Sequence, residues 1–248
     1  MNKLISNSKG FVLFVLSLIA LTVILDGNTE KKIGKVILKN TMHLSSKDYL
    51  KFAKLDNTNS YENLSLLLIK DKLEKHPYID KCDVLYKGEG VVEVEITEVP
   101  FYALLIQGED EKILTDDGRI LPLLSGTSYI NLPVVLIRKG KQKAKNENLK
   151  DALKILKAVE LYDSGFYAEI SSVDLTKKDN VILTMLDSNY PVVINKKNLL
   201  DNILTFCDLY ASLKNKSTEN ITYIDLRFND HVFIGTQNDN AMGVKEIL

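Results

Sequence analysis

The sequence predicts an α+β protein: a single N-terminal transmembrane helix, a βααββ unit, then a mixed α/β domain with an antiparallel C-terminal sheet. Three observations carry that expectation. A lone charge-free apolar run extends from Phe11 to Leu25. The block from Ile33 to Leu105 orders its patterns as strand, helix, helix, strand, strand, and Ile221 to Gly235 alternates as a hairpin around Asn229-Asp230. The implied boundaries are a tail at 1–10, an anchor at 11–26, a first domain at 33–105, a second at 106–236 and a tail at 237–248. Some ~220 residues beyond the anchor exceed one small module and fit two domains of about 75 and 140 residues.

The apolar run spans roughly 22 Å as a helix, short of a ~30 Å hydrocarbon core. Extending it back to Leu4 with Lys9 snorkelling reaches the required length. A signal-peptide core is the alternative, but Leu25-Asp26-Gly27 offers no small-x-small cleavage pair and no cysteine follows for lipidation. The reading is an uncleaved single-pass anchor. Lys3 and Lys9 stand before it, and Lys31, Lys32, Lys35 and Lys39 after it, so a simple count of basic residues does not orient it. The acids Asp26 and Glu30 and the length of the C-terminal part favour an N-terminus inside and the bulk outside.

In the first domain, Lys35 to Asn40 reads as a short strand, and Ser45-Ser46-Lys47-Asp48 starts a helix at about 46–55. Asp56 to Ser60 breaks it with turn-forming residues. Leu64, Leu67, Leu68 and Leu73, with Ile69 on the flank, repeat at helical spacing and predict a second helix that stops near His76-Pro77. Tyr78 to Tyr86 and Val91 to Val99 then alternate around Lys87-Gly88-Glu89-Gly90, predicting a hairpin with Val91, Val94 and Ile96 competing for the buried face. Two helices on one face of a three-stranded sheet is the economical packing. The edge of that sheet is expected along Tyr78 to Tyr86, which makes Tyr78, Asp80 and Asp83 candidate partner-binding residues.

This βααββ unit, with Pro77-Tyr78-Ile79 entering its second strand and Glu93 to Ala103 leaving its third, resembles a POTRA domain. A short tail, one membrane helix and then this unit is the arrangement of the bacterial FtsQ/DivIB cell-division family. There the exit strand carries valine-x-valine, an acid, a basic residue and proline-x-alanine. Here Glu98 supplies the acid, Val99 stands where the basic residue is usual, and Pro100-Phe101-Tyr102-Ala103 departs in part from the pattern.

In the second domain, Ile113 to Pro122 reads as a hairpin turning at Asp117-Gly118. Its paired acids, Asp116 and Asp117, need no catalytic role, since no second acid or histidine follows at a useful spacing. The segment is similar to the aspartate-x-x-glycine hairpin that opens the β domain of FtsQ, and Asn131-Leu132-Pro133-Val134-Val135 to its leucine-proline strand start. Arg138 to Lys145 is a basic run without aromatics: a solvated loop, or a contact for anionic lipid or glycan. Leu149, Leu153, Leu156 and Val159 predict a helix; Ile170 to Leu175, Val181 to Leu186 and Pro191 to Ile194 predict strands. Leu199, Ile203, Cys207, Tyr210 and Leu213 predict a further helix. Ile224-Asp225-Leu226-Arg227 followed by Phe228 is similar to the closing strand pair of FtsQ. The resemblance covers residues 11 to about 236.

Composition excludes several function classes. With 45% hydrophobic residues, 26% charged and a formal net charge of −1, the chain has no overall basic field for nucleic acid. Cys82 and Cys207 fall in different predicted domains, so two buried free thiols are expected rather than a disulfide. His43, His76 and His231 stand singly, with no ligand at metal spacing, and no glycine-rich phosphate loop, Gly-x-Ser-x-Gly or His-Glu-x-x-His occurs. No enzyme activity, cofactor, metal or small-molecule substrate is expected.

What remains is a scaffold whose sheet edges take up partner strands. The family resemblance implies a division-site protein of the bacterial cytoplasmic membrane that links early and late division proteins, with FtsB- and FtsL-like partners and an FtsK-like protein recruited through the first domain. On the closing hairpin the candidate partner-binding residues are Asp225, Leu226, Arg227, Phe228, Val232, Phe233 and Ile234. Leu226 also reads as core, and Phe228 could share that role. The alternative function is a POTRA-bearing component of an envelope transport or assembly machine, but only one such module is present and no barrel-like strand series follows.

Overall fold

The computed structural model describes residues 32–57, 61, 64–128, 131–140, 142–188, 190–213, 218, 220–228, 231–237 and 245–247. The Phe11 to Leu25 run, Thr58 to Ser60 of the predicted break and the Asn229-Asp230 turn lie outside them. The chain divides into two units: one holds the described residues up to Asn40 with Ser46–Lys75 and Cys82–Ile96, the other Thr41–Ser45, His76–Lys81 and the chain from Thr97 onward.

The first unit is built on strands β1 (Lys35–Lys39), β2 (Ile79–Gly88) and β3 (Val91–Glu98), ordered β1-β3-β2, with β1 parallel to β3. A parallel neighbour needs a crossover. Helices α1 (Ser46–Phe52) and α2 (Leu66–Glu74) supply it. Glu89 and Gly90 join β2 to β3 at φ of 51° and 75°, the positive values that a two-residue I′ turn requires of both central positions. At Gly90 the chain also passes close to its own backbone: its carbonyl accepts the Gly34 and Lys35 amides at 2.8 and 3.1 Å, and a Cβ there would lie 3.0 Å from the Lys32 carbonyl.

Two faces differ from expectation by one position. Val92, Val94 and Ile96 are the buried set on β3, while Val91 is half-buried; the strict two-residue period places 92, not 91, in phase with 94 and 96. On α2 the buried residues are Ile69 and Leu73, whereas Leu67 and Leu68 are exposed. A run of four apolar residues has several possible stripes, and the cap decides among them: Ser65 accepts the Leu68 amide at 3.2 Å and fixes the start of the helix.

The second unit is a ten-stranded mixed sheet in the order β13-β12-β11-β10-β9-β8-β7-β4-β5-β6. Its strands are β4 (Phe101–Gln107), β5 (Asp110–Thr115), β6 (Ile120–Pro122), β7 (Val134–Leu136), β8 (Ile170–Asp174), β9 (Asn180–Met185), β10 (Val192–Asn195), β11 (Ile221–Leu226), β12 (Val232–Thr236) and β13 (Lys245–Ile247). Helices α3 (Gln142–Tyr162), α4 (Ser164–Ala168) and α5 (Leu199–Leu213) connect them. The C-terminal part is less uniformly antiparallel than expected. The pairs β8–β9, β9–β10, β11–β12 and β12–β13 are antiparallel, but β10 runs parallel to β11 because α5 carries the chain across between them.

The predicted helical stripes are the buried ones. Leu149, Leu156 and Val159 of α3 and Leu199, Ile203 and Cys207 of α5 join Val181, Leu183, Val192, Ile194 and Ile224 of the strands in one apolar core. The helices pack side by side, with Tyr162 Oη donating to Asp208 at 2.8 Å. Arg138 to Gly140 and Gln142 to Ala144 are exposed, yet Gln142 to Lys145 form the first turn of α3 rather than a loop. Cys82 and Cys207 are free and buried, and burial pushes their thiols up to about 11 and about 12.

Candidate docking edges

The β11–β12 hairpin is amphipathic by its register, which pairs Tyr223 with Gly235, Ile224 with Ile234 and Asp225 with Phe233. Directly opposed residues share a side of the sheet, so Ile224 and Ile234 enter the core together, and Leu226 follows two positions on. Leu226 and Ile234 are therefore structural, at 2% and 9% exposure, and Val232 packs against the same core. Leu226 and Ile234 cannot present side chains to a partner. Phe228 is different: it is 53% exposed, with its ring edge-on to Phe233 at 5.1 Å, and it does not share the core role of Leu226. His231 stacks beyond Phe233 at 6.3 Å, and Tyr223 is also exposed.

Asp225 and Arg227 form a closed pair on this strand. The Asp225 carboxylate accepts the Arg227 backbone amide at 3.0 Å, Nε at 2.9 and 3.0 Å and Nη2 at 2.6 Å. The hydrogen bond to Asp225 holds the guanidinium pKa above its ordinary value. Asp225 is buried beneath this fork while Arg227 stays partly exposed, with its charge 5.9 Å from the Phe228 ring centre. The fork is thus engaged within the chain, and an acidic partner would have to compete for it.

Beyond β12 lies β13, antiparallel, with Val232 opposite Ile247, Phe233 opposite Glu246 and Ile234 opposite Lys245. The sequence reading leaves residues 237–248 as a tail, and Lys245–Ile247 of that segment form this strand. The order of strands instead puts β12 between β11 and β13.

The candidate edge of the first sheet divides in a similar way. Among the described residues β2 has β3 as its sole strand neighbour, and Asp80 and Asp83 are exposed. Tyr78 is not available. It is fully buried, its hydroxyl donating to the Pro122 carbonyl at 2.7 Å and accepting the Leu124 amide at 2.9 Å, and its ring lies edge-on to Phe101 at 4.8 Å. An amphipathic residue in front of a strand reads equally well as surface or core until its hydroxyl finds partners.

Next to Tyr78 the acid of the exit-strand motif has a structural task that its position in the sequence does not disclose. Glu98 accepts the amides of Met42 and His43 at 3.0 to 3.2 Å, so one buried carboxylate satisfies two backbone donors 55 and 56 residues away. His43 stacks on Phe101 with ring centres 3.5 Å apart and contacts the Val99 carbonyl through Nε2 at 3.0 Å. His76 is buried beside them, with Nδ1 accepting the Tyr78 amide at 3.1 Å, and burial lowers its pKa to about 4.

Residues 103–227, just over half of the chain, match the family described as cell division protein FtsQ/DivIB, C-terminal. The chain belongs to the FtsQ/DivIB family. The match opens within β4 and closes at Arg227, so β12, β13 and the three-stranded sheet lie outside it. Among curated proteins, cell division protein FtsQ of Bradyrhizobium diazoefficiens is 25% identical over 105 residues, 42% of this chain and 31% of that protein. The match thus spans about a third of the relative's length. Both FtsQ/DivIB matches support a cell-division protein. Among the described residues no helix is long and apolar enough to cross a membrane.

Proposed function

We propose that this FtsQ/DivIB-family chain is a non-enzymatic, single-pass membrane scaffold of the bacterial division machinery. It is anchored through Phe11 to Leu25, its N-terminus is cytoplasmic and its bulk extracytoplasmic at the division site. The POTRA-like first sheet offers the β2 edge, with Asp80 and Asp83, to an FtsK-like protein. The closing hairpin takes FtsB- and FtsL-like partners by strand addition at β12, with Phe228 and Phe233 as the apolar contact. The observation that carries this reading is the exposed ring of Phe228, edge-on to the half-buried Phe233, beside a hairpin whose Ile224, Leu226 and Ile234 face the core. Phenylalanine and arginine are enriched at protein interfaces relative to the rest of the surface.

The experiment pairs affinity with stability in the full-length membrane protein. Phe228→Ala should weaken binding of the FtsB-like partner by about tenfold or more, equivalent to at least ~1.4 kcal/mol, with an unchanged melting temperature. Arg227→Ala should weaken it less, because that fork already serves Asp225. Full binding by Phe228→Ala would remove the hairpin as the docking site. Anchorage is checked separately: the protein should stay in membranes after an alkaline wash, and an enzyme reporter that works only outside the cytoplasm should be active when fused after Leu248.

A further inference from the structure

The chemistry of the two outermost strands of the large sheet is reversed. β12 reads Val-Phe-Ile-Gly-Thr, with no charge in five residues, while β13 reads Lys-Glu-Ile, with two charges in three. An uncharged apolar strand at a sheet edge is a template for other chains, and a short charged strand is the usual guard against that. Here the guard belongs to the same chain. Three observations indicate that it is weakly held. It is three residues long, matched to Val232, Phe233 and Ile234 of β12. Lys and Glu are poor strand formers. It is also joined to β12 through residues 237–244, an eight-residue connection rather than a tight two-residue turn that would pin the pair.

We propose that β13 is an intramolecular placeholder that occupies the docking edge of β12 and must leave before a partner strand can pair there. The incoming segment is an extended, apolar-alternating strand of another division protein, antiparallel to β12 as β13 is, with an apolar residue opposite Phe233 where this chain has Glu246. The inference rests on the strand-addition reading of the preceding section and adds its regulation: affinity for the partner is lowered by the fraction of molecules in which β13 is seated.

The test compares three full-length membrane proteins for binding of the FtsB-like partner. The first is the unaltered chain. The second ends after Gln237. The third carries Val232→Cys and Ile247→Cys, opposed positions at the spacing a disulfide needs and outside the proposed partner contact, so that oxidation locks β13 in place. Cys82 and Cys207 are buried with raised thiol pKa values and do not compete for the new bond. The expected result is binding about tenfold or more tighter for the truncated chain, and about tenfold or more weaker for the oxidised chain until it is reduced. The locked form keeps every strand and remains informative if truncation lowers the melting temperature. Equal, measurable affinity in all three forms overturns the placeholder and leaves the scaffold reading intact. Absence of binding in all three overturns both.

Discussion

The β2 edge of the three-stranded sheet and the β12 edge of the large sheet address one hazard by opposite means. β2 exposes Asp80, Lys81, Asp83 and Lys87 and, among the described residues, has no strand on its far side. β12 carries no charge and has β13 beside it. A strand whose own residues discourage pairing can stand at an edge, whereas one that invites pairing needs a cover. The charged edge therefore suits a partner that reads side chains, and the apolar edge one that adds backbone.

The largest effect expected separates the two sides of the closing hairpin. Ile224→Ala empties a fully buried position of β11 and should cost about 2–5 kcal/mol, read as a lower melting temperature or denaturant midpoint. A loss near zero would mean that the hairpin is not seated on the core.

Acid should act where the chain enters β2. His76 has a folded pKa of about 4, below its ordinary 6.5, so between these values the unfolded chain binds more protons than the folded one. The stabilisation is complete above about pH 6.5 and is lost as pH falls towards 4, by at most about 3 kcal/mol. His76→Asn keeps an acceptor near the Tyr78 amide without titrating, and should flatten the stability profile over that window. An unchanged slope would assign the acid sensitivity to other groups.

Tyr78→Phe tests whether the start of β2 is structural. Removing the hydroxyl leaves the Leu124 amide without that acceptor and should cost about 1–3 kcal/mol. A variant that keeps its stability but loses a partner would return Tyr78 to the docking surface. The smallest stability change is expected for Asp80→Ala combined with Asp83→Ala, within about 0.5 kcal/mol per site because both are exposed. Recruitment of the FtsK-like partner, followed by midcell imaging, should nevertheless fail. Normal recruitment would confine docking to the large sheet.

Much of this molecule is legible in one dimension because its signals are local. The hairpin at Glu89-Gly90, the turn at Asp117-Gly118 and the stripes Leu149-Leu156-Val159 and Leu199-Ile203-Cys207 each depend on neighbours within a few residues, and each stands where its pattern puts it. The candidate docking residues are only half legible. Alternation along β11 marks Leu226 and Phe228 as candidates, but an i, i+2 pair shares a nominal side until the strand ends: β11 stops at Leu226, and Phe228 turns outward beyond it.

Local patterns in the sequence determined most of the elements, their order and the resemblance to the family. The tertiary structure alone decided which of them meet. Glu98 reaches the amides of Met42 and His43, Tyr78 is used up by Pro122 and Leu124, and Lys245–Ile247 returns to close β12. The reason is range. Periodicity and turn chemistry are set by the next few residues, but whether a buried carboxylate, a hydroxyl or a strand edge is satisfied depends on groups that chain folding brings in from far along the sequence.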